Sequence, residues 1–459
     1  MLIFIGIQWL ALSVRGFALV NLVIVVLWIV LAVKLARRES ATHGAGGGCG
    51  GMRASPATLL LLAAFTFVDP VRTTAQEPET RADVLRRERE EKAQQLQPPQ
   101  PGRMERLLLY LERGRFMERL LNPPEGLYPR IGNITAGSGI SFGPGYRLAG
   151  LFGGHADVQT FAAASFSKYW MLDARLLMPR LAGERVSVGI HGQRYEFPEQ
   201  EFFGIGPASN REDLVLYGLA NTVIGATSAY GPARWLTVRG GVNHLSPRVA
   251  ARSEPGSILS LFDDQQAPGV LSKLDFVEYN GSVEVNHRRP RGNPRSGGRY
   301  ALTVQRYDEL GGNRFSFTRT EADLQHYVPI VRDRRVLALR ARATVTDAET
   351  GADVPFYLQP TLGGPDDLRG FRRFRFRDRH ALLLQAEYRW EITGAVDGAI
   401  FYDAGAVAPR LEDLSLDRLE SDYGIGFRFG NETGVFLRIE GAFGSSGGKH
   451  FIFRFGHVF

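Results

Sequence analysis

From Ile134 to the last residue the chain alternates apolar and polar side chains with a period of two, and few architectures accommodate that. A strand points successive side chains to opposite faces, so each face takes one half of the alternation. In the final segment Phe451, Phe453, Phe455 and the terminal Phe459 share one face, while His450, Arg454 and Gly456 take the other. The same holds for Val435, Leu437, Ile439 and Phe443 against Arg438 and Glu440. It holds again for Leu382, Leu384, Tyr388 and Trp390 against Gln385, Glu387 and Arg389. A soluble sandwich would alternate too. It would not so repeatedly set Arg and Glu opposite a continuous aromatic and aliphatic face, nor end the chain on an aromatic. A membrane barrel requires this pattern, because its outer face meets lipid and its inner face a polar lumen.

Segments of this kind predict an all-β fold, a transmembrane antiparallel β-barrel of about sixteen strands filling residues 130–459. The expected strands lie near 134–142, 145–153, 156–165, 168–179, 184–194, 213–230, 235–245, 274–287, 299–308, 313–328, 334–347, 380–391, 396–405, 420–429, 433–443 and 449–459. The connections sort themselves. The long ones, 195–212, 246–273, 348–379 and 406–419, each join an odd strand to the next even one. Even-to-odd connections are mostly tight turns, such as Gly231-Pro232-Ala233-Arg234, Val331-Arg332-Asp333 and Gly430-Asn431-Glu432. Bacterial barrels show that asymmetry, with short periplasmic turns and longer external loops. The basic connection Arg288–Gly298, carrying Arg289, Arg291 and Arg295, stands out on the periplasmic side.

The first 129 residues read differently. Met1 to about Val33 is a largely apolar stretch broken at Arg15, and Gly16–Val33 is about long enough for a membrane helix. A second apolar stretch begins after Met52: Arg53 supplies a positive start, Leu59–Val68 an apolar centre, and Thr73-Thr74-Ala75 a small-residue cleavage site before Gln76. Residues 52–75 therefore resemble a signal peptide, and 1–51 are read as a spurious upstream extension or, alternatively, an inner-membrane anchor. Residues 76–129 form a polar linker and then an amphipathic helix, with Met104, Leu107, Leu108, Leu111, Met117, Leu120 and Leu121 at helical spacing. That short helical periplasmic segment either packs on the strands C-terminal to it or serves as a plug or docking helix.

Composition narrows the function. The formal charge is +7, but the arginines are scattered singly through alternating segments, so nucleic acid is not an expected partner. The lone Cys49 precedes the expected mature chain and offers it no disulfide. Gly139-Ile140-Ser141-Phe142-Gly143 fits the Gly-x-Ser-x-Gly pattern but runs from the end of a strand into Pro144-Gly145, without the strand-turn-helix elbow that such a nucleophile needs. The nine histidines lack metal-ligand spacing, and no glycine-rich stretch leads into a Lys-Ser or Lys-Thr on a helix. No enzyme activity, metal or cofactor is expected.

One loop carries a motif. Between expected strands eleven and twelve lies Gly363-Gly364-Pro365-Asp366-Asp367-Leu368-Arg369-Gly370-Phe371. It resembles the sixth extracellular loop of the BamA/TamA superfamily, the bacterial surface antigen family, whose hallmark is Val-Arg-Gly-Phe or Val-Arg-Gly-Tyr; Leu368 replaces the Val here. Gln385-Ala386-Glu387-Tyr388-Arg389-Trp390 and Phe401-Tyr402-Asp403-Ala404-Gly405 resemble that family's next two strands, and the terminal Phe459, with Phe455, resembles its C-terminal strand signal. The resemblance covers roughly 130–459. It implies a loop folded into the lumen, with Arg369 paired to Asp403 and Glu387, Gly370 permitting a tight backbone course and Phe371 anchoring the tip. It also implies assembly or translocation of outer-membrane proteins, with outer-membrane lipid and client proteins as partners. Family members of that kind usually carry periplasmic POTRA domains. Gln76–Pro129 is too short and too polar for one, so a separate periplasmic POTRA-type protein is the expected partner. The alternative is a passive pore or structural barrel whose loop only plugs the lumen.

Overall fold

The computed structural model describes residues 125–135, 137–251, 256–331, 333–349, 351–431, 434–445 and 448–454. The expected extension, signal peptide, linker and amphipathic helix lie outside the described residues, as do Phe455 and Phe459.

The protein is a transmembrane antiparallel β-barrel. Its main sheet comprises β1 (Gly126–Gly132), β2 (Ser141–Gly150), β3 (Ala156–Ser165), β4 (Trp170–Leu181), β5 (Val186–Phe202), β6 (Val215–Ala233), β7 (Leu236–Leu245), β8 (Phe276–Asn286), β9 (Gly297–Glu309), β10 (Phe317–Val331), β11 (Arg335–Ala348), β12 (His380–Thr393), β13 (Val396–Ala408), β14 (Glu420–Asn431), β15 (Gly434–Gly444) and β16 (Lys449–Arg454). A further short strand, Arg248–Ala251, pairs with β6 directly beyond the end of β7. It continues β7 after the break at Ser246-Pro247, so among the described residues the strands occupy sixteen positions. Each strand pairs antiparallel with the next along the chain, as in Asp403 opposite Asp422 and Gln385 opposite Asp403.

The lipid-facing side reads directly from the alternation. Ile190, Ile224, Leu302, Val304, Ile400 and Ile425 all project outward, an exposure that water would penalise and hydrocarbon does not. Aromatics mark two levels. Tyr388 and Trp390 stack near the short-turn end of β12, whereas Tyr423 and Phe443 stack near the long-loop ends of β14 and β15. Such rings suit the two membrane–water interfaces.

At the long-loop end lies a compact apolar dome. Phe202, Val215, Tyr217, Ile258 and Phe356 form one cluster, and Leu274, Phe276, Tyr307, Phe315, Phe317 and Val354 another. The 17-residue β5 and 19-residue β6 reach into this dome. A tilted strand needs only about 9–11 residues to cross the bilayer, so their upper ends stand clear of it.

Two boundaries depart from the expectation. The barrel begins at Gly126, not Ile134, and the expected strands 134–142 and 145–153 become β1, a turn and β2. Pro129 faces Pro144 in the β1–β2 ladder, and two residues without an N–H disguise the segment as non-strand. In the turn, Ser138 accepts from the backbone N–H of Ile134 at 3.1 Å and donates to the carbonyl of Thr135 at 3.0 Å. Strand β5 also continues to Phe202, past the expected 194, because Tyr195 and Phe197 stack on each other and Phe197 on Tyr169. Ser141 opens β2 instead of closing a strand, and its hydroxyl donates to the carbonyl of Gly132 at 2.6 Å.

Candidate functional site

The lumen is densest on β12–β15, where the inward half of each alternation is charged. Glu387 and Arg389 on β12, Asp403 on β13, Arg428 on β14, and Arg438 and Glu440 on β15 are all essentially fully buried. Burying so many ions is tolerable only when they satisfy each other, since an isolated buried charge costs several kcal/mol or more.

Into this wall comes Arg369, from the long connection between β11 and β12. Its guanidinium donates to both oxygens of Asp403, Nε to Oδ2 at 2.7 Å and Nη2 to Oδ1 at 2.9 Å. That is the bidentate fork for which Arg is suited. Nη1 donates to Glu387 at 3.1 Å and to Glu440 at 3.2 Å. The flat face of the guanidinium lies over the Phe401 ring, 3.3 Å from its centroid. One arginine from a loop thus ties three strands together.

The wall charges then close the network. Arg428 donates to Glu387 and, at 3.4 Å, to Glu440. Arg438 bonds Glu440 at 3.1 Å and reaches back to the loop at Asp366, 3.3 Å. Arg389 holds the other oxygen of Glu387 at 2.5 Å. The loop carboxylates are matched in turn: Asp366 pairs with Arg454 at 2.6 Å, and Asp367 with Arg342 at 2.8 Å.

The rest of the motif packs around this point. Leu368 and Phe371 are buried with Leu362, Phe376, Ala381, Leu383 and Val407, and the Phe371 and Phe376 rings meet edge to face at 5.2 Å. Gly370 passes close to the wall. A Cβ there would fall 2.5 Å from the Gly444 nitrogen and 2.6 Å from the Asp422 Cβ, closer than any side chain tolerates. The requirement is one of space. A two-stranded hairpin, Thr361–Leu362 with Phe376–Arg377, forms the neck of the loop. Arg373 to Glu201 at 3.1 Å, Arg375 to Ser209 at 2.8 Å and Arg379 to Asp353 at 2.7 Å join the neck to the dome.

The structure therefore brings Leu368, Arg369, Gly370, Phe371, Glu387 and Asp403 to one place. Sequence reasoning placed Arg389, Arg438 and Glu440 on the polar faces of their strands without joining them to the loop; it quoted Phe401 and Asp366 within their motifs without giving them a role, and it passed over Arg428. Inward parity was the available signal, since Glu440 and Arg438 share a face two residues apart on β15.

This fold and loop define a class: a membrane barrel with an arginine-clamped loop inside its lumen. Residues 237–457 match the Omp85 superfamily domain, a span that holds the loop and every wall residue of the network. Over that span the chain is similar to the Omp85 superfamily domain. Among solved structures it is similar to BamA from Haemophilus ducreyi lacking POTRA domains 1-3, at 14% identity and a TM-score of 0.54, covering 76% of this chain and 77% of that one. It is also similar to CdiB from Acinetobacter baumannii, at 14% identity and a TM-score of 0.45, covering 72% of this chain and 58% of that one. No curated protein sequence matches.

Proposed function

We propose that the protein resides in the outer membrane and assists the insertion or translocation of other outer-membrane proteins, working with a separate periplasmic protein of the POTRA type. The observation that carries the reading is the Arg369 clamp, which spends three buried carboxylates on fixing one loop against β12–β15. A barrel that only conducts solutes gains nothing from a lumen filled this way. One that must keep a defined wall beside a client does, because the clamp sets the relative positions of β12, β13 and β15. Outer-membrane lipid and unfolded client barrels are the partners this implies.

The test is client insertion. Vesicles carrying the purified protein should accelerate the appearance of folded, protease-resistant client barrels from a urea-unfolded stock, and Arg369→Ala should abolish most of that acceleration. If vesicles with and without the protein fold the client equally fast, with or without a POTRA-type partner added, the assembly reading fails. A steady ionic current through the unmodified protein would then favour the passive pore.

A further inference from the structure

We propose that the connection between β8 and β9, residues 287–296, is a stopper folded into the short-turn end of the lumen and held there by Arg295 and Asp397. Nearly all other short-turn connections are brief, and this one is both long and basic. Its stem continues the hairpin, with His287 donating to Gly298 at 2.9 Å and Arg289 to Ser296 at 2.9 Å. Its tip then leaves the wall.

Where the tip goes is fixed by Asp397, the second residue of β13. Arg295 Nη2 donates to both Asp397 oxygens, at 2.8 and 2.7 Å, and the Asn293 amide adds a bond of 3.2 Å. Four strand steps separate β9 from β13, about 19 Å along the wall at roughly 4.8 Å per step, which no arginine side chain spans. The backbone of the turn must itself cross the lumen. The inward face of β13 confirms the side: Asp397, Ala399, Phe401 and Asp403 are buried while Ile400 and Tyr402 face lipid. Asn293 is 4% exposed and Asp397 likewise, so the contact is shut off from bulk water. On the near side Arg288 also reaches inward, to Gln325 on β10 at 3.3 Å.

The two locks meet. Asp397 stands opposite Arg428 in the β13–β14 ladder, and Arg428 holds Glu387, which holds Arg369. An inward turn from one end and an inward loop from the other thus share one band of wall charges. The lumen is closed twice, and a client or partner engaging the short-turn end has to displace the turn first. This inference does not depend on the assembly reading.

The test locks and unlocks the turn. In a background with Cys49→Ser, Asn293→Cys with Asp397→Cys should form a disulfide in the membrane-embedded protein, detected by mass spectrometry of the linked peptides. With the outer loop released by Arg369→Ala in the same protein, reduction of that disulfide should raise planar-bilayer conductance several-fold. Failure of the cysteines to link, or equal conductance oxidised and reduced, overturns the proposal. Should the combined variant not insert, Arg295→Ala alone decides. It should speed amide hydrogen exchange in 287–298 several-fold while leaving β8 and β9 protected, and unchanged exchange there would overturn the stopper.

Discussion

Two segments enter the lumen from opposite ends, and they are held by opposite strategies. The loop 349–379 combines an apolar clamp, a carbonyl-bonded neck and an arginine shared among three carboxylates. The turn 287–296 is held at its base by Arg288 to Gln325 and Arg291 to the Arg234 carbonyl, while its far contact across the lumen is one carboxylate, bonded by Arg295 and Asn293. The first is over-determined, so losing any single contact should loosen it without freeing it, except at the residue where the contacts converge. The second has a single fastening across the lumen, at Asp397.

Arg369→Ala should break the comparison most severely. It leaves Asp403 buried without its cation and takes one partner each from Glu387 and Glu440, which Arg389, Arg428 and Arg438 still hold; the cost is on the order of 3–5 kcal/mol locally. Insertion yield should fall, while the barrel persists because its ladders do not pass through the loop. Comparing gel mobility of unheated and boiled samples checks the second point, since a closed barrel runs faster unheated in both proteins. Equal mobility of the unmodified protein with and without boiling would count against closure.

How much of this was legible depended on which residues carried a local signal. The motif Leu368-Arg369-Gly370-Phe371 is contiguous, so a resemblance located it, and Asp403 and Glu387 sit in stretches that resemble the two strands after it. Glu440, Arg428 and Arg438 lie far along the chain, and only the curvature of the sheet brings them to Arg369. The turn 287–296 was visible as an oddity and no more. Its partner Asp397 is about a hundred residues away, and nothing near Asp397 announces an arginine from the β8–β9 turn. Period two found the strands because lipid enforces it residue by residue. It missed β1 because Pro129 and Pro144 hide a ladder that only the paired strand reveals.

Smaller effects sharpen the contrast. Leu368→Ala removes a fully buried side chain from the apolar clamp. It should cost about 2–5 kcal/mol, toward the lower end because a loop can settle into the space. Hydrogen exchange over 360–379 should rise less than in Arg369→Ala, and an equal or greater rise would mean that apolar packing, not the ion network, holds the loop. Gly370→Ala should act in the same direction by pushing the backbone off Gly444 and Asp422. Asp413→Asn, in the solvent-exposed pair with Arg410 on the β13–β14 connection, should leave insertion yield and exchange unchanged, because exposed pairs contribute little. A clear loss there would show that outer loops far from the lumen also set the fold.

The central claim, that Arg369 fastens the loop inside the barrel through Asp403 and its neighbours, is tested most directly by external trypsin on intact cells displaying the protein, with cleavage sites read by mass spectrometry. The unmodified protein should be cut at exposed Arg410 and left whole at Arg372, Arg373 and Arg375, whereas Arg369→Ala and Asp403→Asn should both gain cuts at those three arginines. Free cleavage at Arg372, Arg373 or Arg375 in the unmodified protein would place the loop outside the lumen and contradict the account.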